Sequence, residues 1–385
     1  MRHAPEGIDS MRIRLRLAKL LNVPPYGNNA VSQLASDMHV TRHQLMHALD
    51  EDSKQINRQV LEAICDYLIE NELAAPADLP HTLFALGPHQ FWSMIQSCAH
   101  VLLTMGRRWD SHWHDSVVVA ADSMLHSTLV TGITDPHLDA TTDESLRFTP
   151  ASGPPQIDSR LVPSWVVRDA QAEETINEAG RVMAAHRALR DSSALVCIGS
   201  VKSNPVTELV LAHTFRRARP FEPEDRVADP CDRSCPFAFV YRPTDVHSRS
   251  CWAGTRLHQH DTGRVPGIHY ETKTGTWAHI PWSEDEQDGG LVVYRYDRIV
   301  RKLDMVIGGF TGRATRCLAE LLKKRARDYF WPPTIQEDDL DVGVFLVKLT
   351  ARPDTGAVEF YKRLQSAQQI ALSPDAIRPR LARSR

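Results

Sequence analysis

The sequence predicts a two-part protein of mixed α and β structure: a small all-helical N-terminal domain, then a larger domain in which helices cover a mixed sheet. Three observations carry that prediction. Between residues 11 and 72 the apolar positions recur at helical spacing in several short segments. Beyond residue 165, short and nearly all-apolar segments run straight into helical ones, the pattern of a parallel sheet flanked by helices. Between those segments lie aromatic-rich stretches separated by turn residues, as in antiparallel hairpins. At 385 residues the chain has room for two or three domains.

The N-terminal elements follow in order. Residues 11–21 (Met-Arg-Ile-Arg-Leu-Arg-Leu-Ala-Lys-Leu-Leu) are expected to form a first helix and residues 32–41 a second helix with a tight turn. Residues 42–49 are expected to form a third, and residues 57–71 close the core with Val60, Leu61, Ile64, Cys65, Leu68 and Ile69. Leu34, Ala35, Met38, Val40, Leu45, Ala48 and Leu49 fall where two short helices crossing steeply bury their contact faces. Thr41 can cap the third helix, leaving Arg42, His43, Gln44 and His47 outward. Arg and Gln can make two hydrogen bonds each to guanine and adenine edges.

This spacing resembles the Cro/C1-type (XRE) helix-turn-helix family. The resemblance covers about a sixth of the chain and implies double-stranded DNA as a partner, with the third helix reading bases and the second lying across the backbone. It implies base contacts for Arg42, His43, Gln44 and His47, and phosphate contacts for Arg12, Gln33 and Thr41. Two features depart from the family. His39 stands where the turn usually has Gly, though His visits positive φ more readily than most residues. Residues 11–75 are not basic, with seven Lys or Arg against eight Asp or Glu. A neutral module binds DNA weakly alone, so a homodimer is expected. A helical protein-interaction domain is the alternative for these residues.

Formal net charge is −3, which gives no global attraction to nucleic acid or membrane. No apolar run approaches membrane-spanning length and no signal-peptide pattern is present. Seven cysteines, an odd number, fit reduced thiols in a cytoplasm. The expected division is a helix-turn-helix domain at 1–75, a helical connecting region with a Pro/Thr/Ser-rich linker at 76–164, an α/β domain at 165–372, and a basic tail at 373–385. In the connecting region, residues 91–105 are expected as one amphipathic helix, 116–121 as a strand, 122–129 as a helix, and 131–163 as linker. Residues 173–190 then make a long helix, and hairpins are expected at 237–241, 268–277 and 291–296. A last hairpin pairs 342–349 with 357–360.

Two strand–loop–helix units give the larger domain its Rossmann-like expectation. Residues 194–200 form an apolar strand leading into Val-Lys-Ser-Asn-Pro and a helix at 206–215. Residues 303–307 repeat the arrangement, followed by Gly-Gly-Phe-Thr-Gly-Arg-Ala-Thr at 308–315 and a helix at 316–329. Ser200, Lys202, Ser203 and Asn204 in one loop, with Gly308, Gly309, Thr311, Gly312 and Thr315 in the other, offer helix N-termini and hydroxyls to an anion. A nucleotide or other phosphorylated metabolite would suit them, although neither loop has the dinucleotide or Walker spacing. Glu208, one turn into its helix, is the catalytic candidate if the protein is an enzyme acting on a ribosyl carbon; a helix-dipole role explains it equally well. Cys231, Cys235, Cys251, His258 and His260 are numerous enough for one zinc but lack the usual knuckle spacing, so no metal is assigned. Trp252, Tyr270, Trp277, Trp282, Tyr294 and Tyr296 are expected mainly in hairpin cores.

The expected function is a sequence-specific transcriptional regulator whose α/β domain senses a small, nucleotide-like effector. The alternative is a nucleotide- or NAD-processing enzyme with a helix-turn-helix targeting module; a third reading is an interaction scaffold.

Overall fold

The computed structural model describes residues 13–15, 28–49, 57–71, 84–86, 90–110, 115–134, 153–165, 172–215, 218–224, 233–245, 249–254, 264–325, 333–336, 339–353 and 359–381. The chain divides into two compact units, Met1–Phe91 and Trp92–Arg385. No helix among the described residues is long and apolar enough to cross a membrane.

In the first unit, α1 (Asn28–Asp37), α2 (Arg42–Leu49) and α3 (Arg58–Glu70) enclose a core of Val31, Ala35, Met38, Leu45, Ala48, Val60, Ile64 and Leu68. Leu34, Val40, Leu49, Leu61 and Cys65 pack around it, half-buried. The α1–α2 turn is a Schellman motif: the His39 amide donates to the Ser36 carbonyl and the Val40 amide to the Ala35 carbonyl. His39 takes the left-handed position, at φ 53°. Thr41 and Gln44 then form a capping box at the start of α2. The Gln44 amide donates to Thr41 Oγ1 at 3.2 Å, and the Thr41 amide to Gln44 Oε1 at 2.9 Å. The expected first helix is overturned. Ile13–Leu15 is a strand, β1, paired antiparallel with β2 (Phe84–Leu86).

The second unit holds a nine-stranded mixed sheet. Next to one edge lies β3 (His100–Asp110), flanked in parallel by β5 (Gln156–Pro163) and β6 (Ser193–Ile198). Next to β6 lies β12 (Lys302–Gly309), also parallel, then β11 (Gln287–Asp297) and β14 (Leu340–Ala351), both antiparallel. β13 (Ile335–Gln336) and β15 (Leu364–Ala371) both pair with β14, and β4 (Asp115–Val118) folds back along β3. Every residue of β6 is buried, as a central parallel strand covered on both faces requires.

Helices α5 (Ala120–Thr134) and α8 (Gly312–Arg325) pack together, as do α6 (Ala172–Ala188) and α7 (Pro205–Thr214). Leu195 and Cys197 of β6 share a core with Val182 and Met183 of α6 and Val210 and Leu211 of α7. On β11, Leu291 joins that core while its neighbour Gly290 receives Leu318 of α8 on the other face. The two helix pairs therefore cover opposite faces. A second sheet of β7 (Phe237–Val240), β8 (Ala253–Gly254), β9 (Gly267–Glu271) and β10 (Trp277–Pro281) adds Phe237, Phe239, Ile268 and Ile280 to the α6–α7 core.

Four expectations change here. Residues 91–105 are not one helix; α4 (Gln90–Gln96) stops and β3 begins at His100. The expected linker contains β5, and the expected connecting region from residue 92 is part of the large unit and supplies β3, β4 and β5 of its sheet. The last hairpin uses β15, with Phe360–Arg363 a 3-10 turn. The carboxyl end is not a solvated tail: Arg380 is buried and pairs with Glu271 at 2.7 Å. Trp252, Tyr294 and Tyr296 are buried, whereas Tyr270, Trp277 and Trp282 are half-buried.

Candidate functional site

Strands β3, β6 and β12 run parallel and end at one edge, where a cleft of about 330 Å³ opens. The helices that follow these neighbouring strands lie on opposite faces, α5 after the β3–β4 hairpin and α7 after β6. Chain connections diverge at such a place and leave room for a ligand. Ser200, Lys202 and Ser203 line the cleft from the loop after β6, and Gly309, Thr311, Gly312 and Thr315 from the loop after β12. The two loops singled out in the sequence therefore do meet.

Asn204 and Gly308 do not line it; they build it. Asn204 is fully buried and donates to the Thr104 carbonyl, Thr104 Oγ1 and the Ile198 carbonyl at 3.0–3.2 Å. Its Oδ1 accepts from the Val206 amide, so one side chain joins β3, β6 and the start of α7. At Gly308 a Cβ would lie 2.7 Å from Gly199 Cα, so bare backbone lets the ends of β6 and β12 approach. A Cβ at Gly106 of β3 would collide with the Ser203 carbonyl.

Both helix ends expected to hold an anion carry internal caps. Asn204 caps α7. At α8, Thr311 Oγ1 accepts from the Arg313 amide and donates to Asp288, a fully buried carboxylate that also accepts from the Gly289 amide. Burial pushes Asp288 up to about 6. The hydroxyls are engaged too: Thr315 Oγ1 accepts from Gly309, Ser203 Oγ donates to the Ser200 carbonyl, and Ser200 Oγ accepts from Tyr241. The charge in the cleft comes instead from side chains that sequence reasoning missed.

Those side chains are Arg108 at the end of β3, Asp122 in the first turn of α5, and Arg242 and Asp245 after β7. With Lys202 they make three cations against two carboxylates. Asp245 lies 2.9 Å from Arg242 and 3.5 Å from Lys202. Burial works against its charge, yet Arg242 and Lys202 hold Asp245 below the usual carboxylate range. Burial lowers Lys202, with Asp245 opposing. Asp122 is only 3% exposed, and its Oδ2 has no hydrogen-bond partner. Burial pushes it up to about 6, with Arg108 pulling the other way. The Arg242 guanidinium also stacks on Trp282, 4.6 Å from the ring centre.

Glu208 is not in the cleft. It is fully buried and accepts from the Phe221 and Cys251 amides and from Ser250 Oγ, tying α7 to two loops. Burial pushes it up to about 6 despite those bonds. With every bond turned inward it cannot attack a ligand in the cleft. Cys235 and Cys251 are buried thiols raised by burial, and the Cys251 thiol donates to Glu208 at 3.2 Å. Cys231, His258 and His260 lie outside the described residues, among which no group of three or more His, Cys, Asp or Glu is placed to hold a metal.

In the first unit, Arg42, His43, Gln44, Met46 and His47 form the exposed face of α2. Gln44 does not simply point outward, because its amide oxygen is held by Thr41, whose hydroxyl donates to it at 2.8 Å. Gln33 is exposed and donates to Asp37 at 2.9 Å. Arg12 lies outside the described residues.

No family model, curated protein or solved structure matches the chain.

Proposed function

We propose that this chain is a DNA-binding transcriptional regulator whose large unit binds a small phosphorylated effector. The observation that carries the proposal is the meeting of the Ser200–Ser203 and Gly309–Thr315 loops in one cleft with Arg108, Lys202 and Arg242. Flexible cationic side chains at the carboxyl edge of parallel strands suit a phosphate, and the capped helix ends contribute little to holding it. The DNA reading rests on the α1–α2–α3 unit and on the exposed Arg42, His43 and His47, all able to donate to base edges or phosphates. A homodimer in a cytoplasm completes the proposal, since one electrically neutral module gains useful affinity by engaging two half-sites. Effector occupancy would alter DNA affinity through unequal affinity for two states of the protein.

Selection of random duplexes by the full-length protein at near-physiological salt tests the DNA role. An enriched palindrome with half-sites one helical turn apart is expected; a pool without a motif would sink it. A nucleotide-processing enzyme is the second reading. It is favoured by Asp122, a buried carboxylate of raised pKa in the cleft, now in place of Glu208. Product formed from a ribonucleotide, and abolished by Asp122→Asn, would establish that reading over a purely sensory one.

A further inference from the structure

Two buried polar atoms in the cleft have no hydrogen-bond partner, Arg108 Nε and Asp122 Oδ2, and only the second is an acceptor. Lys202 and Arg242 both have Asp245 as a partner, and the nearby hydroxyls bond internally. Asp122 is more deeply buried than either cation, yet its Oδ2 has no partner. A carboxylate oxygen stripped of water and left unbonded is costly, so one retained in a cleft calls for a donor that enters from outside the fold. Its position is fixed by the start of α5, where the Asp122 amide donates to the Val119 carbonyl. Gly199, at φ 104°, lies beside it: a Cβ there would stand 3.7 Å from Oδ2, in ordinary contact, but 2.3 Å from Ser203 Oγ.

We propose that Asp122 receives the ribose hydroxyls of a nucleotide while Arg108, Lys202 and Arg242 take its phosphate. The proposal rests on the cleft being an anion site, as argued above, and adds what kind of anion enters. A bare inorganic anion gains from the three cations but meets repulsion at Asp122. A free divalent cation would find a single unpaired carboxylate beside three positive charges, which disfavours it for the same reason. The complementary molecule is negative at one end and carries neutral hydrogen-bond donors at the other. A vicinal diol offers two O–H donors to the two oxygens of one carboxylate, the arrangement by which acidic residues hold ribose in other nucleotide sites. The cavity of about 330 Å³ lies at the small end of ligand sites and has room for one mononucleotide rather than a dinucleotide.

Calorimetric titration of the full-length protein tests the proposal with three probes: the four ribonucleoside 5′-monophosphates, their 2′,3′-dideoxy counterparts, and inorganic pyrophosphate. At least one ribonucleotide should bind the wild type. Its dideoxy counterpart should bind about 10- to 100-fold more weakly, as the loss of hydrogen bonds to a charged group implies. Asp122→Asn should erase that ribo/dideoxy difference and bind pyrophosphate no worse than the wild type does. Arg108→Ala with Lys202→Ala should lose all three probes, and thermal melting confirms that each variant is folded. Equal binding of ribo and dideoxy compounds by the wild type would overturn the Asp122 assignment while leaving the anion site standing. Pyrophosphate binding without any nucleotide binding would do the same. If no probe binds the wild type, the anion site falls and the assignment with it.

Discussion

Three buried carboxylates, Asp122, Glu208 and Asp288, share a folded-state value of about 6 and differ in what holds them. Glu208 and Asp288 are surrounded by donors, whereas Asp122 Oδ2 has none. Since each value lies above the unfolded one near 4, the native state holds more protons between about pH 4 and 6, and each group's contribution to stability falls as pH rises through that window. Asp122→Asn removes one such charge without a lost hydrogen bond at Oδ2. Its urea midpoint should exceed the wild type's above pH 6 by a margin equivalent to about 1–3 kcal/mol, vanishing below pH 4. A variant less stable than wild type at pH 7 would show that Asp122 is already satisfied. Asp304 behaves in the opposite sense. Burial alone would raise it, but His213 Nδ1 at 2.7 Å and His186 Nε2 at 3.2 Å hold it well below the carboxylate range. Its contribution is present above about pH 4 and is lost as pH falls below that. Glu208→Ala would strand two amides and a hydroxyl in the interior. A loss of about 3–5 kcal/mol in denaturant unfolding is expected; a loss under 1 kcal/mol would place those donors in contact with water.

At the scale of elements, the helix signals in residues 28–71 were legible because caps and periodicity agree there. The turn was legible as well: a residue tolerant of positive φ was expected at 39, and His39 adopts it. Glycine at that position should stabilise the unit by about 0.5–1 kcal/mol, read from thermal melting, because it removes the cost of a side chain in the left-handed region. Thr41→Ala should cost about 1 kcal/mol by opening the capping box. On a selected duplex, Arg42→Ala should cost roughly 1–3 kcal/mol and little on random DNA; equal losses on both would assign Arg42 to phosphate. The residues 91–105 misled for a physical reason. Both faces of β3 are covered, so apolar residues fall at nearly every position and a helical period can be read into them. The composition of segment 131–163 predicts a linker. β5 is in fact an edge strand with mostly exposed residues, and it forms because β3 offers it a partner.

For the molecule as a whole, the carboxyl end of the large unit has a long-range role that no local pattern announces. Arg380 bonds the Arg233 and Ala376 carbonyls and pairs with Glu271, so it pins the final turns against the second sheet. Arg380→Ala should destabilise the large unit by about 3–5 kcal/mol, because it removes a buried ion pair and the bonds to two carbonyls together; an unchanged denaturation midpoint would return that arginine to the solvated tail its composition suggests. By itself the sequence determined the helices between residues 28 and 71 but not the β1–β2 pair beside them, and it determined the two apolar strands that turn into helices and the loops at 200–204 and 308–315. Those are local matters of periodicity, caps and glycine, and each can be read within a window of a dozen residues. Only the tertiary structure decided which side chains fill the cleft. Arg108 and Asp122 lie on either side of the β3–β4 turn, and Arg242 reaches them from the end of β7 in the second sheet, a meeting that only the packing of the two sheets brings about. The same packing withdrew Glu208 and Asn204 from solvent, since burial and hydrogen-bond partners are set by neighbours across the fold and not by neighbours along the chain.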